Sequence, residues 1–323
     1  MSFKDIKGEA AAVSLLKNAA SIGRVASAYI FLGPSGCGRK LAALNFAKLL
    51  NCSSAADGEP CERCPSCVKI NSSTHPDIRV LGKEESRSEL GIDIVLEAIK
   101  SIGLKAYEAK RKVYIIDGAD LMSEEASNAA LKTLEETPGD SVMVLLIEDI
   151  NSIPQTIRSR SQTVKFFPMP AKDIEAVLKK EHGMDGATAG ILALLAQGSM
   201  GRAIEYSKNG FLDKRSRVLA GLRSGKIFNS DFDKMKSDDF LAYLDIMLTW
   251  YRDVLVTKAC AGDAKTILNV DMIRQIGSDA AKFSYEYLDN AVRVVTDTRS
   301  GIESNANSKL AMSVLGIRLK ERG

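Results

Sequence analysis

The sequence predicts an α/β domain on a parallel sheet, joined to all-α segments that fill the rest of the 323 residues. Three observations carry this. Buried-strand patterns alternate with helical patterns of about 10–15 residues as far as Phe167, which describes a parallel sheet covered on both faces. A glycine-rich break, Gly33-Pro-Ser-Gly-Cys-Gly38, stands between a strand pattern and a helical one. After Pro168-Met-Pro170 only helical periodicities remain.

Taken in order, residues 9–20 carry apolar positions at helical spacing and precede the strand pattern Val25-Ala-Ser-Ala-Tyr-Ile-Phe-Leu32. Leu41 to Leu50 reads as a helix after the glycine break. A cysteine cluster over 52–67 interrupts the pattern as a local insertion, and Asp93 to Ile102 is helical. Lys112-Val-Tyr-Ile-Ile-Asp117 is a second buried strand with its acid at the end. Ser123 starts a helix, with Glu124 and Glu125 in its first turn, and Thr137-Pro138-Gly139 stops it. Val142–Ile147 and Thr163–Phe167 complete the strands. Helical patterns then cover 171–182, 186–197, 201–208, 237–261, 269–277, 283–299 and 307–320. The expected division is a core at 1–168, a small helical domain at 169–209 and a larger helical domain at 210–323.

Composition excludes several classes. With 45% hydrophobic and 26% charged residues the chain is not a disordered or low-complexity sequence. Its 44 Lys+Arg against 41 Asp+Glu give a net charge of +3, so no basic nucleic-acid arm is expected. The longest apolar run, Val142 to Ile147, is far short of the ~20 residues that cross a bilayer. No apolar signal core follows Met1, so a cytosolic location with reduced cysteines is expected. His75 and His182 are the only histidines, which leaves little room for histidine-based catalysis.

A phosphate-binding loop reads G-x-x-x-x-G-K-[ST]: its backbone N–H groups cradle phosphates, its Lys reaches them and its hydroxyl holds Mg²⁺. Gly33, Gly36 and Gly38 keep that frame, but the next two positions are Arg39 and Lys40. Arg39 keeps the charge on a longer, forked group. Lys40 cannot ligate a cation. Asp117 stands where an acid would support Mg²⁺ or cap a neighbouring turn, and Gly118 follows where an ATPase carries Glu. The loop shape is retained and its chemistry impaired, so ATP, ADP and Mg²⁺ are expected to bind weakly if at all.

Cys52-x8-Cys61-x2-Cys64-x2-Cys67 supplies four thiolates in a reduced compartment, which points to a closed structural zinc site. An iron–sulfur run would continue as x3-C-P, and Val68-Lys-Ile-Asn71 does not. Cys37 and Cys260 read as small packing residues. Arg158 and Arg160 follow the third strand, where either a surface ion pair or a phosphate-directed arginine can sit. Arg202 follows Gly198-Ser-Met-Gly201 at a helix start, a place near bound phosphate or, equally well, that of a solvated Arg beside a helix cap.

The order of these pieces resembles the bacterial clamp-loader AAA+ subunits of DNA polymerase III. It rests on Ala28-Tyr-Ile-Phe-Leu-Gly-Pro34, the four-cysteine insertion, Thr74-His-Pro-Asp77, the strand ending in Asp117, Ser127-Asn-Ala-Ala-Leu-Lys-Thr-Leu-Glu-Glu136 and Ile157-Arg-Ser-Arg160. Without G-K-[ST] or Asp-Glu, the chain resembles the delta prime members more than the gamma/tau ATPases. The resemblance implies an AAA+ core with a zinc insertion, a helical lid and a helical collar. It implies a hetero-pentamer with gamma/tau and delta subunits that loads the sliding clamp on primer–template DNA. It marks Arg160 as an arginine finger in trans, with Ser161 in place of the motif's Cys, and Arg202 as a loose match to a second sensor, displaced by Gly201. Asn305-Ala-Asn307 with Leu310 fits the collar. The competing expectations are a self-sufficient gamma/tau-like ATPase and a zinc-dependent DNA-binding module.

Overall fold

A computed structural model describes residues 2–82, 96–97, 101–102, 105–136, 140–224, 237–260, 266–304 and 306–320. The helix expected over Asp93–Ile102 falls largely outside them, as does Asn305. The chain divides into two compact units, Met1–Pro170 with Gly198–Gly201, and Ala171–Gln197 with Arg202–Gly323.

The first unit holds β1 (Ala28–Leu32), β2 (Ile78–Gly82), β3 (Lys112–Asp117), β4 (Ser141–Ile147) and β5 (Gln162–Lys165) in one sheet of order β2-β3-β4-β1-β5. Every pairing is parallel, with Ile30 opposite Leu145 and Thr163 and Ile115 opposite Val144. The strands' own alternation loads both faces. Tyr29, Phe31, Val113, Ile115, Val142 and Val144 pack on one side with Phe46 and Leu16. Ile30, Tyr114, Ile116, Met143 and Leu145 pack on the other with Ala126 and Ile157. β4 is buried along its whole length, which is why it reads as an unbroken apolar run rather than an alternating one.

The helices of this unit are α1 (Ala10–Ser21), α2 (Arg39–Asn51), α3 (Pro65–Asn71), α4 (Glu124–Glu136) and α5 (Gln155–Arg160). The edge strand β2 and the short α3 and α5 have no periodicity long enough to announce them. Asp77, just before β2, shows what the Thr74-His-Pro-Asp77 stretch does: its carboxylate accepts the N–H groups of Tyr107, Glu108 and Ala109 at 2.8–2.9 Å. His75 Nδ1 accepts the Asp77 N–H at 3.2 Å.

The second unit is helical. It contains α6 (Ala171–His182), α7 (Gly186–Leu195), α8 (Met200–Lys208), α9 (Phe211–Arg223), α10 (Ser237–Ala259), α11 (Ile273–Lys282), α12 (Tyr285–Glu303) and α13 (Ser308–Lys320). Helix α8 begins at the end of the first unit. Sequence periodicity misses α9, where Asp213, Lys214 and Arg215 after Phe211-Leu212 mask its apolar face. Arg215 is buried there against Asn269 and Asp271. Trp250 and Tyr251 are core residues of α10, as expected of aromatic residues at helical spacing.

Burial opposes ionisation of Asp77, and the three backbone donors outweigh it, so its carboxyl titrates below the usual range. Its contribution to stability is complete above the unfolded value of about 3.9 and drains away as pH falls through the lower folded value. Asp77→Ala should cost about 2–3 kcal/mol at neutral pH, since three N–H groups lose their acceptor. Urea unfolding should show that loss together with a flatter acid-side dependence of stability.

Candidate functional site

The glycine loop joins β1 to α2, and its three glycines stand for different reasons. Gly36 and Gly38 have φ of 75° and 96°, the left-handed region that favours glycine. Gly33 has an ordinary φ, but a Cβ there would run into the Phe166 carbonyl. Gly38 caps α2 without a side-chain hydrogen bond. Between them Cys37 is buried, and burial pushes its thiol up to about 11. It is a packing residue.

Arg39 is 9% exposed and turns into the end of the sheet. Nη1 donates to the carbonyl of Ile147, the last residue of β4, and Nη2 to Glu148 Oε1 at 3.3 Å. The same carbonyl accepts the Gly33 N–H at 3.1 Å. A buried guanidinium needs such partners. Here they are protein groups. Lys40 Nζ lies 3.1 Å from Asp117 Oδ2. The ammonium therefore stands beside a strand-end carboxylate that could support a divalent ion, and repels such an ion. Mg²⁺ does not fit this donor set.

A third contact closes on the loop from the other side. The N–H of Gly201 donates to the Gly36 carbonyl at 2.9 Å, and a Cβ on Gly201 would lie 3.0 Å from Gly36 Cα. The backbone itself occupies this approach, which only glycine permits. Arg202 lines a cavity within the second unit. Glu148 escaped the sequence reading, and Gly201 entered it only as the residue that displaces Arg202. Glu148 could have been found as the first polar residue after a buried strand.

Arg160 is exposed at the C-terminal end of α5, its Nη1 donating to the Thr156 carbonyl at 3.2 Å. Arg158, half-buried, has a buried Nε without a hydrogen-bond partner among the described residues.

The four cysteines of the insertion do converge. The sulfurs of Cys52, Cys61, Cys64 and Cys67 all lie within 4.8 Å of one another, close enough to hold one metal ion. Cys52 caps the C-terminus of α2, Cys64 caps the N-terminus of α3 ahead of Pro65, and Cys67 lies inside α3. The backbone N–H groups of Cys61 and Cys64 donate to the sulfurs of Cys52 and Cys61, both at 3.3 Å. Asp57, Gly58 and Glu62 adopt positive φ to turn the loop back. Backbone donors at Arg63 and Cys64 lower the Cys61 thiol, whereas burial raises Cys67. Crowded thiols divide in this way until a cation lets all of them ionise. The set fits a closed tetrahedral ion such as zinc.

The insertion is also tied to the core. Buried Lys48 of α2 bonds Glu62 and Asn71, Lys110 Nζ donates to the Cys52 carbonyl at 2.7 Å, and Asn51 exchanges hydrogen bonds with the backbone of Arg111.

Comparison with known proteins agrees with this arrangement. A family model described as DNA polymerase III, delta subunit, matches residues 8–170. A second, for the C-terminal part of that subunit, matches residues 209–320. DNA polymerase III subunit delta' of Bacillus subtilis is 31% identical over 96% of this chain and 95% of its own length. The tau subunit of the same organism is 29% identical over 80% of this chain but only 51% of itself. A DNA polymerase III gamma subunit-related protein from Thermotoga maritima has the same fold, with a TM-score of 0.52 at 17% identity over 96% of this chain and 99% of that one. With a parallel five-stranded sheet and a match running almost end to end, the chain belongs to the delta' family of DNA polymerase III clamp-loader subunits.

Proposed function

We propose that this chain is the non-hydrolysing, delta prime-like member of its clamp loader, with an AAA+ core at 1–168, a lid at 169–209 and a collar at 210–323. The observation that carries this is the self-satisfied glycine loop. Arg39 is spent on Ile147 and Glu148, and Lys40 on Asp117. Gly118, which follows Asp117, has no side chain to position a water. A gamma/tau-like ATPase would need both cations released from these partners. Residual ATP or ADP binding is expected to be weak and independent of Mg²⁺.

The subunit acts in this reading as a cytoplasmic component of a hetero-pentamer with gamma/tau and delta subunits, meeting the sliding clamp and primer–template DNA through the assembly. The exposed position of Arg160 supports its use as a finger that reaches phosphate held by a neighbour. Such a guanidinium stabilises charge on a transferring phosphoryl group and is worth about 10³–10⁵ in rate at the site it serves. The cysteine set supports one structural Zn²⁺ per chain. The short insertion and the even charge of the first 210 residues disfavour a DNA-binding zinc module.

Three outcomes are expected. Steady-state ATPase of the purified chain should be absent, and Arg160→Ala should lower the ATPase of the reconstituted complex by the share of the site it completes while assembly is retained. Turnover by the chain alone, lost on changing Lys40, would instead establish a motor subunit. Elemental analysis should find one zinc per chain, and Cys64→Ser or strong chelation should lower the melting temperature of the chain. Protein purified without chelator and free of zinc would refute the metal assignment.

A further inference from the structure

An aromatic side chain left in water adds nothing to the core, and exposed apolar groups rimmed by polar ones mark contact surfaces. Tyr107 is 85% exposed, the highest value among the large apolar residues described. Its backbone is nonetheless fixed. The N–H groups of Tyr107, Glu108 and Ala109 donate to the Asp77 carboxylate at 2.8–2.9 Å. Two residues on, Asn51 accepts the Arg111 N–H at 3.0 Å and donates to the Arg111 carbonyl at 2.9 Å.

This pinned segment lies against the cysteine insertion. Lys69 of α3 donates to both Glu108 oxygens, at 2.8 and 2.6 Å, and Lys110 Nζ donates to the Cys52 carbonyl at 2.7 Å. Val68, next to Lys69, is 51% exposed. The Lys69–Glu108 pair thus brings an exposed aliphatic residue of α3 and an exposed aromatic residue of 105–111 to one surface. The charges around them are one-sided. Glu108 is the one acid of 105–111 and Lys69 neutralises it, while buried Lys48 neutralises Glu62. Glu59 pairs with Lys17 of α1, and Asp57 lines the groove beside that helix. Exposed Lys105 and exposed Arg63, between Cys61 and Cys64, have no ion-pair partner among the described residues. Lys110 is exposed and keeps its charge, because a carbonyl does not neutralise an ammonium.

We infer that this surface, centred on Tyr107 and Val68 and rimmed by Arg63, Lys105 and Lys110, docks an acidic protein segment that presents an apolar side chain. Tyr and Arg are among the residue types that most often carry binding energy at protein contacts. A backbone fixed in advance lowers the ordering cost of docking. The unpaired cations supply the complementary charge, which speeds encounter and rejects basic partners. A nucleic-acid strand fits less well, since three cations around an aliphatic centre make no phosphate track and Val68 offers no plane to stack a base. Docking here depends neither on the glycine loop nor on Arg160.

Fluorescence anisotropy of a labelled synthetic peptide repeating Glu-Glu-Phe, titrated with the full chain, tests the assignment. The peptide should bind saturably with a Kd on the order of 10–100 μM, and a peptide repeating Lys-Lys-Phe should not bind. Raising the ionic strength from about 0.05 to about 0.5 M should weaken binding about fivefold or more. Tyr107→Ala and Lys105→Glu should each weaken it by about tenfold, in chains whose melting temperature and metal content match the parent. Arg318→Glu, the same change of charge on exposed α13, should leave the affinity unchanged. Absence of saturable binding up to about 0.5 mM chain, retention in both surface variants, or an equal loss in Arg318→Glu would overturn the assignment. Tighter binding of single-stranded oligothymidine than of the acidic peptide would overturn it as well.

Discussion

Two adjacent cations at the head of α2 decide what the edge of this sheet can do. Arg39 and Lys40 occupy the positions where a phosphate loop places its lysine and its metal-binding hydroxyl, and both turn to protein partners instead. The two contacts differ in kind. Arg39 is buried, so its bonds to Ile147 and Glu148 are required by the cost of desolvating a guanidinium. Lys40 and Asp117 keep 56% and 36% of their side-chain surface exposed, so their pair is worth no more than about 1 kcal/mol. Its consequence is chemical: a positive charge stands where Mg²⁺ would have to approach.

The same helix links this loop to the cysteine cluster. α2 begins at Arg39 and ends at the Cys52 cap, and Lys48 on its last turn reaches Glu62 and Asn71 of the insertion. A metal held by the four sulfurs would therefore fix the far end of the element whose near end shapes the loop. A loop held by internal hydrogen bonds needs no nucleotide to order it.

How much of this was legible in the sequence follows from the range of each signal. β1, β3 and β4 are buried on both faces and read directly as apolar runs, and the cysteine spacing announced a cluster because all four ligands are local. β2 was missed because an edge strand, with Arg79 and Val80 exposed, carries no continuous apolar signal. α9 was missed because its buried Arg215 looks like a surface residue until Asn269 and Asp271 are brought beside it. At the glycine loop the sequence identified the wrong residue types, but only the fold supplied their partners. Glu148 is 109 positions from Arg39, and Gly201 is farther still from Gly36. No spacing rule reaches that far.

The cations of the glycine loop already hold protein partners, Arg39 on Ile147 and Glu148 and Lys40 on Asp117. Equilibrium binding of ATP to the purified chain, with and without Mg²⁺, shows whether those partners give way to a metal–nucleotide complex. With the loop closed on itself, Mg²⁺ should not strengthen binding and Asp117→Ala should leave it unchanged. Binding that tightens with Mg²⁺ and is lost in Asp117→Ala would mean that Lys40 yields to the metal and that the loop is a working nucleotide site.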